Sequence, residues 1–182
     1  AASEYVDIEG YLVTSPTGLA AAGRAREIAE AAGVKTALSF SDPGMVEFFR
    51  EGMASIVGSG VDLVFCNEAE ALQWGETDSL QVAIEKLKRV ARSFVITLGA
   101  NGAITYDGKE QVSIPPHQVQ AVDSNGAGDM FAGAFLYAIT RGEDFSVAGR
   151  FASLAAGKIV ANYGPRLAAA DYPALRAEFF GD

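Results

Sequence analysis

One cysteine in 182 residues leaves no room for an internal disulfide framework, and Cys66 fits a chain that folds in a reducing compartment. Basic residues are also scarce. Lys and Arg number 14 against 23 Asp and Glu, the formal net charge is −9, and no Lys/Arg cluster occurs. Binding a nucleic-acid backbone needs a basic footprint, so the sequence argues against a nucleic-acid partner. No apolar run approaches the ~18 residues of a membrane span, which argues against a membrane partner. The first seven residues, Ala1-Ala-Ser-Glu-Tyr-Val-Asp7, lack the basic n-region of a secretory signal, so the chain reads as cytoplasmic. Repeats, low-complexity tracts and linkers are missing too, and residues 1–182 read as a single α/β unit. What is present is ordinary globular composition, with 49% hydrophobic and 20% charged residues. A chain of this length buries roughly 70% of its unfolded surface.

Short β-branched or aromatic runs alternate with alanine-rich stretches. Strands are expected over residues 5–13, 35–40, 61–66 and 93–98. Helices are expected over 17–32, with Gly33 as the stop, over 43–57 after Asp42-Pro43, over 68–74, and from Asp78 to Ala91. This alternation predicts a parallel sheet covered by helices. Beyond Gly99 the texture changes. Residues 103–106 and 111–115 read as an antiparallel hairpin through Asp107-Gly108. Two long alanine-rich helices follow, near 128–140 and 146–162, and a short helix follows Asp171.

The segment Asp123-Ser-Asn-Gly-Ala-Gly-Asp129 runs straight into an apolar helix, Met130-Phe-Ala-Gly-Ala-Phe-Leu-Tyr-Ala-Ile139. A glycine-rich turn that opens a helix presents unpaired N–H groups at the positive end of the helix dipole, which suits a phosphate or an oxyanion. Gly126 and Gly128 would let the backbone approach such a ligand. Asp129 puts a carboxylate beside it that can accept a proton from an attacking hydroxyl. The plainer alternative is a loop whose first-turn aspartate merely answers the dipole.

This segment resembles the signature of the ribokinase-like family of sugar and nucleoside kinases, in which D-x-x-G-A-G-D precedes a helix rich in Phe, Ala and Gly. Phe131 and Gly133 fall in the expected places. The resemblance implies that Asp129 is the catalytic base and that the amides of Gly126, Ala127 and Gly128 form an anion hole. It also implies the fold: a three-layer Rossmann-like sandwich of the ribokinase type, with a mostly parallel sheet and an antiparallel hairpin at its edge. The likeness covers the C-terminal part of a family member. Nothing here corresponds to the N-terminal portion, with its Gly-Gly motif, acceptor-binding residues and small β-lid, so the chain reads as a fragment, an excised domain or a minimised one.

Three further stretches carry two readings each. Asn67-Glu-Ala-Glu70 has the spacing of a capping box. The resemblance implies instead that Asn67 lies near nucleotide phosphates and that Glu70 orders Mg²⁺ through water, chemistry for which one carboxylate suffices. Thr97-Leu-Gly-Ala-Asn-Gly102 contains the turn pair Asn101-Gly102. It also resembles the family's T-x-G-x-x-G loop, with Thr97, Gly99 and Gly102 supporting phosphates at the C-terminal edge of the sheet, where open α/β sheets bind ligands. Asp123 can close an Asx turn. The resemblance adds a K⁺ site formed by the Asp123 side chain and the Asn125 carbonyl.

Asn162, in Asn162-Tyr163-Gly164, is an adenine-side candidate by the same resemblance, or simply a helix stop. His117, after Pro115-Pro116, lacks a spaced carboxylate or serine partner and reads as solvated or flanking adenine. Cys66 and Trp74 read as packing residues.

The implied reaction is ATP- and Mg²⁺-dependent transfer of a γ-phosphoryl group to a primary hydroxyl of a small-molecule sugar or nucleoside. Adenosine-kinase-type members look closest, from Tyr5-Val-Asp-Ile-Glu-Gly-Tyr-Leu12 and Asn67-Glu-Ala-Glu70, and a homodimer is compatible with the resemblance. The alternative is a nucleotide-binding domain without turnover. A nicotinamide-dependent oxidoreductase is disfavoured, since no G-x-G-x-x-G follows the first strand.

Overall fold

The computed structural model describes residues 3–181. Six strands hydrogen-bond in the order β1-β2-β3-β4-β5-β6: β1 (Tyr5–Glu9), β2 (Lys35–Ser39), β3 (Val61–Asn67), β4 (Ala91–Thr97), β5 (Ala103–Tyr106) and β6 (Gln111–Ile114). The first four run parallel. The last two are joined by only four residues, which forces them antiparallel. The mostly parallel sheet with an antiparallel hairpin edge is the one expected.

Residue contacts gather into two compact units. Among the described residues, the first comprises 3–97 and 106–111, the second 98–105 and 112–181.

In the first unit, β3 and β4 are apolar almost throughout, with Leu63, Val64, Phe94, Val95 and Ile96 all buried. Strands covered on both faces have this composition. Helix α1 (Pro16–Ala31) begins at Ser15, whose hydroxyl accepts from the Gly18 amide, with Pro16 at its first position. Next come α2 (Pro43–Phe48), capped by Asp42, then α3 (Arg50–Val57), α4 (Glu68–Gly75) and α5 (Leu80–Leu87). The Trp74 ring meets Phe40 at 5.1 Å, tilted by 39°, and lies under the Arg50 guanidinium, as a packing residue should.

Three boundaries depart most from the sequence reading. The first strand stops at Glu9, and residues 10–14 form a 3₁₀ turn, because the parallel partner ends at Ser39 opposite Glu9. The helix expected over 43–57 is two helices, broken at Phe49 (φ −121°, ψ 31°), where no Gly or Pro signals a break. The helix expected to reach Ala91 ends at Leu87, because the Val90 carbonyl accepts from Val61 and Ala91 pairs with Val61 in the sheet. A ladder outcompetes helix propensity there.

In the second unit, α6 (Ala127–Ile139), α7 (Phe145–Val160) and α8 (Asp171–Phe180) pack through aromatic residues. The Phe135 and Phe145 rings meet edge-on at 4.9 Å, and those of Phe151 and Phe180 meet at 4.8 Å. Asp144 caps α7 by accepting from the Val147 amide at 2.7 Å. Among the described residues no helix is long and apolar enough to cross a membrane.

Phe135 is fully buried on the inner face of α6. Phe135→Ala is expected to lower unfolding free energy by roughly 3–5 kcal/mol, read from the shift of the urea midpoint.

Candidate functional site

The loop that enters α6 is held by one side chain. Asp123 Oδ1 accepts from the Asn125 amide at 2.9 Å, and Oδ2 from the Gly164 amide at 3.0 Å. These two donors, Asn125 first, hold the exposed carboxyl below the usual aspartate value. The Asx turn read from the sequence is therefore formed, and the same carboxylate also ties down the segment after α7. The Val122 and Asp123 amides complete the bracket by donating to the Val160 carbonyl at 2.8 and 3.2 Å.

Gly126 is the N-cap of α6, at φ 76° and ψ 0°. A Cβ here would stand 2.4 Å from the Pro165 carbonyl oxygen, a contact no side chain tolerates. Gly126 is thus required by its left-handed backbone and by Pro165, a structural reason that the sequence reading did not include. Gly128 differs, since a Cβ there would meet nothing within 4 Å.

The free donors also differ from those expected. The Ala127 amide already donates to the Ser124 carbonyl at 3.2 Å, and the Met130 amide to Gly126 at 2.9 Å. The amides of Gly126, Gly128 and Asp129 make no hydrogen bond among the described residues, and no side chain caps this helix. Asp129 sits exposed in the first turn. It borders a cavity of about 830 Å³ whose walls include Gly133, Tyr137, Arg166, Tyr172 and Arg176. Within the second unit, chain folding has thus produced unpaired donors at a positive helix end with a carboxylate beside them.

In the first unit, Asn67 and Thr97 end neighbouring strands and are register partners, so two of the predicted motifs converge on the C-terminal edge of β3 and β4. The capping box is complete. Asn67 Oδ1 accepts from the Glu70 amide at 2.9 Å, and the Asn67 amide donates to Glu70 Oε2 at 2.9 Å. Asn67 Nδ2 adds a third bond, to Glu70 Oε1 at 2.7 Å. Glu70 is only 4% exposed. Burial pushes its carboxyl from 4.5 up to about 7, against the lowering effect of the Asn67 amide and with a smaller push from Asp42.

The T-x-G-x-x-G loop divides after Thr97. In the second unit it closes as a 3₁₀ turn over Gly99–Asn101, with the Leu98 amide donating to the Gly102 carbonyl at 2.8 Å. Gly102, at φ 89°, is fixed by close backbone, because a Cβ would lie 2.0 Å from the Ile114 carbonyl oxygen. Asn162 folds back on α7, its Nδ2 donating to Lys158 O at 2.9 Å, as a helix stop does. His117 is exposed, and its amide donates to Ser153 Oγ at 2.9 Å. Cys66 packs within the sheet, and burial raises its thiol.

The sequence matches the pfkB family carbohydrate kinase description over residues 1–171. The chain belongs to this family. Adenosine kinase from Schizosaccharomyces pombe is 36% identical over 126 residues, which cover 61% of this chain and 37% of that protein. Adenosine kinase from Sinorhizobium meliloti superposes with a TM-score of 0.91 at 34% identity, covering 97% of this chain and 55% of its own. A probable sugar kinase from Rhizobium etli gives 0.90 at 31%, covering 98% and 54%. A ribokinase II from E. coli, described in complex with ATP and Mg²⁺, shares the fold at 0.81 with 24% identity over 89% of this chain and 54% of its own. The chain therefore spans about a third to a half of the relatives it matches.

Two features of these edges escaped the sequence reading. Ser41, after β2, holds φ 67° and donates from Oγ to Glu9 Oε2 at 3.0 Å. Asp42-Pro43 marked the helix start that follows, but a left-handed serine has no sequence signal. Arg166 was also missed, because a lone arginine beyond a helix stop looks like a solvated side chain.

The raised Glu70 carboxyl fixes a sign. In the folded chain Glu70 binds its proton more tightly than in the unfolded one. Its contribution to stability is therefore complete below about pH 4.5 and is lost as pH rises through about 7. Glu70→Gln, which mimics the protonated form, should gain on the wild type by roughly 3 kcal/mol across that window. Paired denaturation curves at pH 5 and pH 8 measure the difference, and an equal gap at both refutes the burial argument.

Proposed function

We propose that this chain carries the phosphoryl-transfer half of an ATP-dependent kinase that acts on a primary hydroxyl of an adenosine-like nucleoside or a sugar. The observation that carries this reading is the N-terminal turn of α6, with three unpaired amides and Asp129 among them. Asp129 takes the proton of the acceptor hydroxyl as its oxygen bonds to the γ-phosphorus. The bond from that phosphorus to the bridging oxygen breaks, and its electron pair leaves with ADP. The amides of Gly126, Gly128 and Asp129 stabilise the charge on the transferring group. Asn67, Thr97, Gly99 and Gly102 support the nucleotide phosphates, and Asn162 lies on the adenine side.

Mg²⁺ neutralises nucleotide phosphates when bound. Among the described residues no group of three or more His, Cys, Asp or Glu could cage a metal. That fits an ion which keeps its waters and takes few carboxylates from protein. Glu70 would hold it through water, because each of its oxygens accepts from Asn67 and keeps a spare lone pair. Asp123, with one amide on each oxygen, would hold K⁺ together with the Asn125 carbonyl.

For these 182 residues taken alone, the coverage of about half of each matched structure favours a second reading. In that reading the chain binds nucleotide weakly and hydrolyses ATP slowly at most. Robust phosphorylation of adenosine or a sugar by the isolated chain would overturn it.

Gly128→Val tests the anion site more cleanly than any change at Gly126, since its side chain enters open space. It should weaken ATP·Mg binding at least about tenfold with little change in thermal midpoint, as calorimetry and melting curves would show. Asp129→Asn should leave nucleotide affinity equal or better. In a complete kinase carrying this sequence it should cut transfer by roughly 10²–10⁴.

A further inference from the structure

The segment after α7 is fastened to the phosphate loop at two successive residues. The Gly164 amide is held by Asp123 Oδ2 at 3.0 Å, and Pro165 packs on the face of Gly126 where a side chain would stand. Arg166 is the next residue, so its position is set by the turn that bears the free amides. It is exposed, and neither an ion pair nor a hydrogen bond engages its guanidinium among the described residues. Several other arginines are engaged: Arg24, Arg26, Arg50 and Arg92 pair with carboxylates, and Arg176 lies 6.0 Å from the Tyr137 ring centroid. Arg166 also lines the same cavity as Asp129.

We propose that Arg166 is a further catalytic residue, contacting the γ-phosphoryl group as it passes from nucleotide to acceptor; this rests on the kinase reading above. A chain of net charge −9 that places Asp129 beside a phosphate needs a compensating cation there. A guanidinium offers a planar fork that matches two phosphate oxygens. Because that cation shares a cavity with the base, it contacts the terminal phosphoryl rather than the pair that remains in ADP.

The test is titration calorimetry of the 182-residue chain and of Arg166→Gln and Arg166→Lys with ATP·Mg and ADP·Mg. A charge-assisted hydrogen bond is worth about 10- to 100-fold in affinity. Arg166→Gln should lose at least about tenfold for ATP and less than about threefold for ADP. Arg166→Lys should recover part of the ATP loss as a point charge. Thermal midpoints should stay unchanged, since the side chain bonds to nothing in the fold. Equal losses for both nucleotides, or no loss while the wild type binds, overturn the assignment of Arg166 and leave the kinase reading standing. A wild-type chain that binds neither nucleotide overturns the kinase reading, and the role of Arg166 with it.

Discussion

The carboxylate of Asp123 is the constraint on which the loop entering α6 in the second unit depends. One oxygen shapes the turn at Asn125, and the other secures Gly164, forty-one residues later in the chain. That pair of bonds brings the Pro165 backbone against Gly126, which in turn admits only glycine. With Gly126 left-handed, α6 starts without a side-chain cap, and its first amides remain unpaired. Donors left unsatisfied at a helix start are costly in a core and useful at a surface, where an anion can complete them.

The first unit manages its polar groups the other way. At the end of β3, Asn67 and Glu70 satisfy each other through three hydrogen bonds, and the buried carboxyl is displaced towards neutrality. A cap and a water-mediated metal contact need not compete, since each carboxylate oxygen keeps a lone pair. Burial makes the charge state of Glu70 sensitive to pH near 7, so a nearby cation would stabilise the ionised form that the fold by itself disfavours. The two ends therefore differ in kind. One is an open set of donors, and the other is a closed box whose carboxyl is shifted towards neutrality.

Much of this was legible before any coordinates. The parallel strands, the hairpin at Asp107-Gly108, the caps at Asp42 and Asn67 and the glycine turn before α6 are encoded in residues close together in the chain. Local chemistry reads correctly when its partners are local. The misread ends of β1 and α5 have distant partners: β1 ended early because β2 ran out, and α5 because β3 claimed Val90 and Ala91. Ala127 is the local exception, its amide taken by Ser124 three residues before it.

Sequence alone determined that the chain is an acidic α/β protein with a D-x-x-G-A-G-D turn at a helix start, because periodicity and turn chemistry are properties of adjacent residues. The tertiary structure decided why Gly126 is glycine, which amides stay free, how far Glu70 is pushed from its ordinary ionisation, and that Arg166 shares a cavity with Asp129. Most of these depend on atoms brought together across tens of residues, and burial, steric exclusion and electrostatic shifts exist only once those atoms meet.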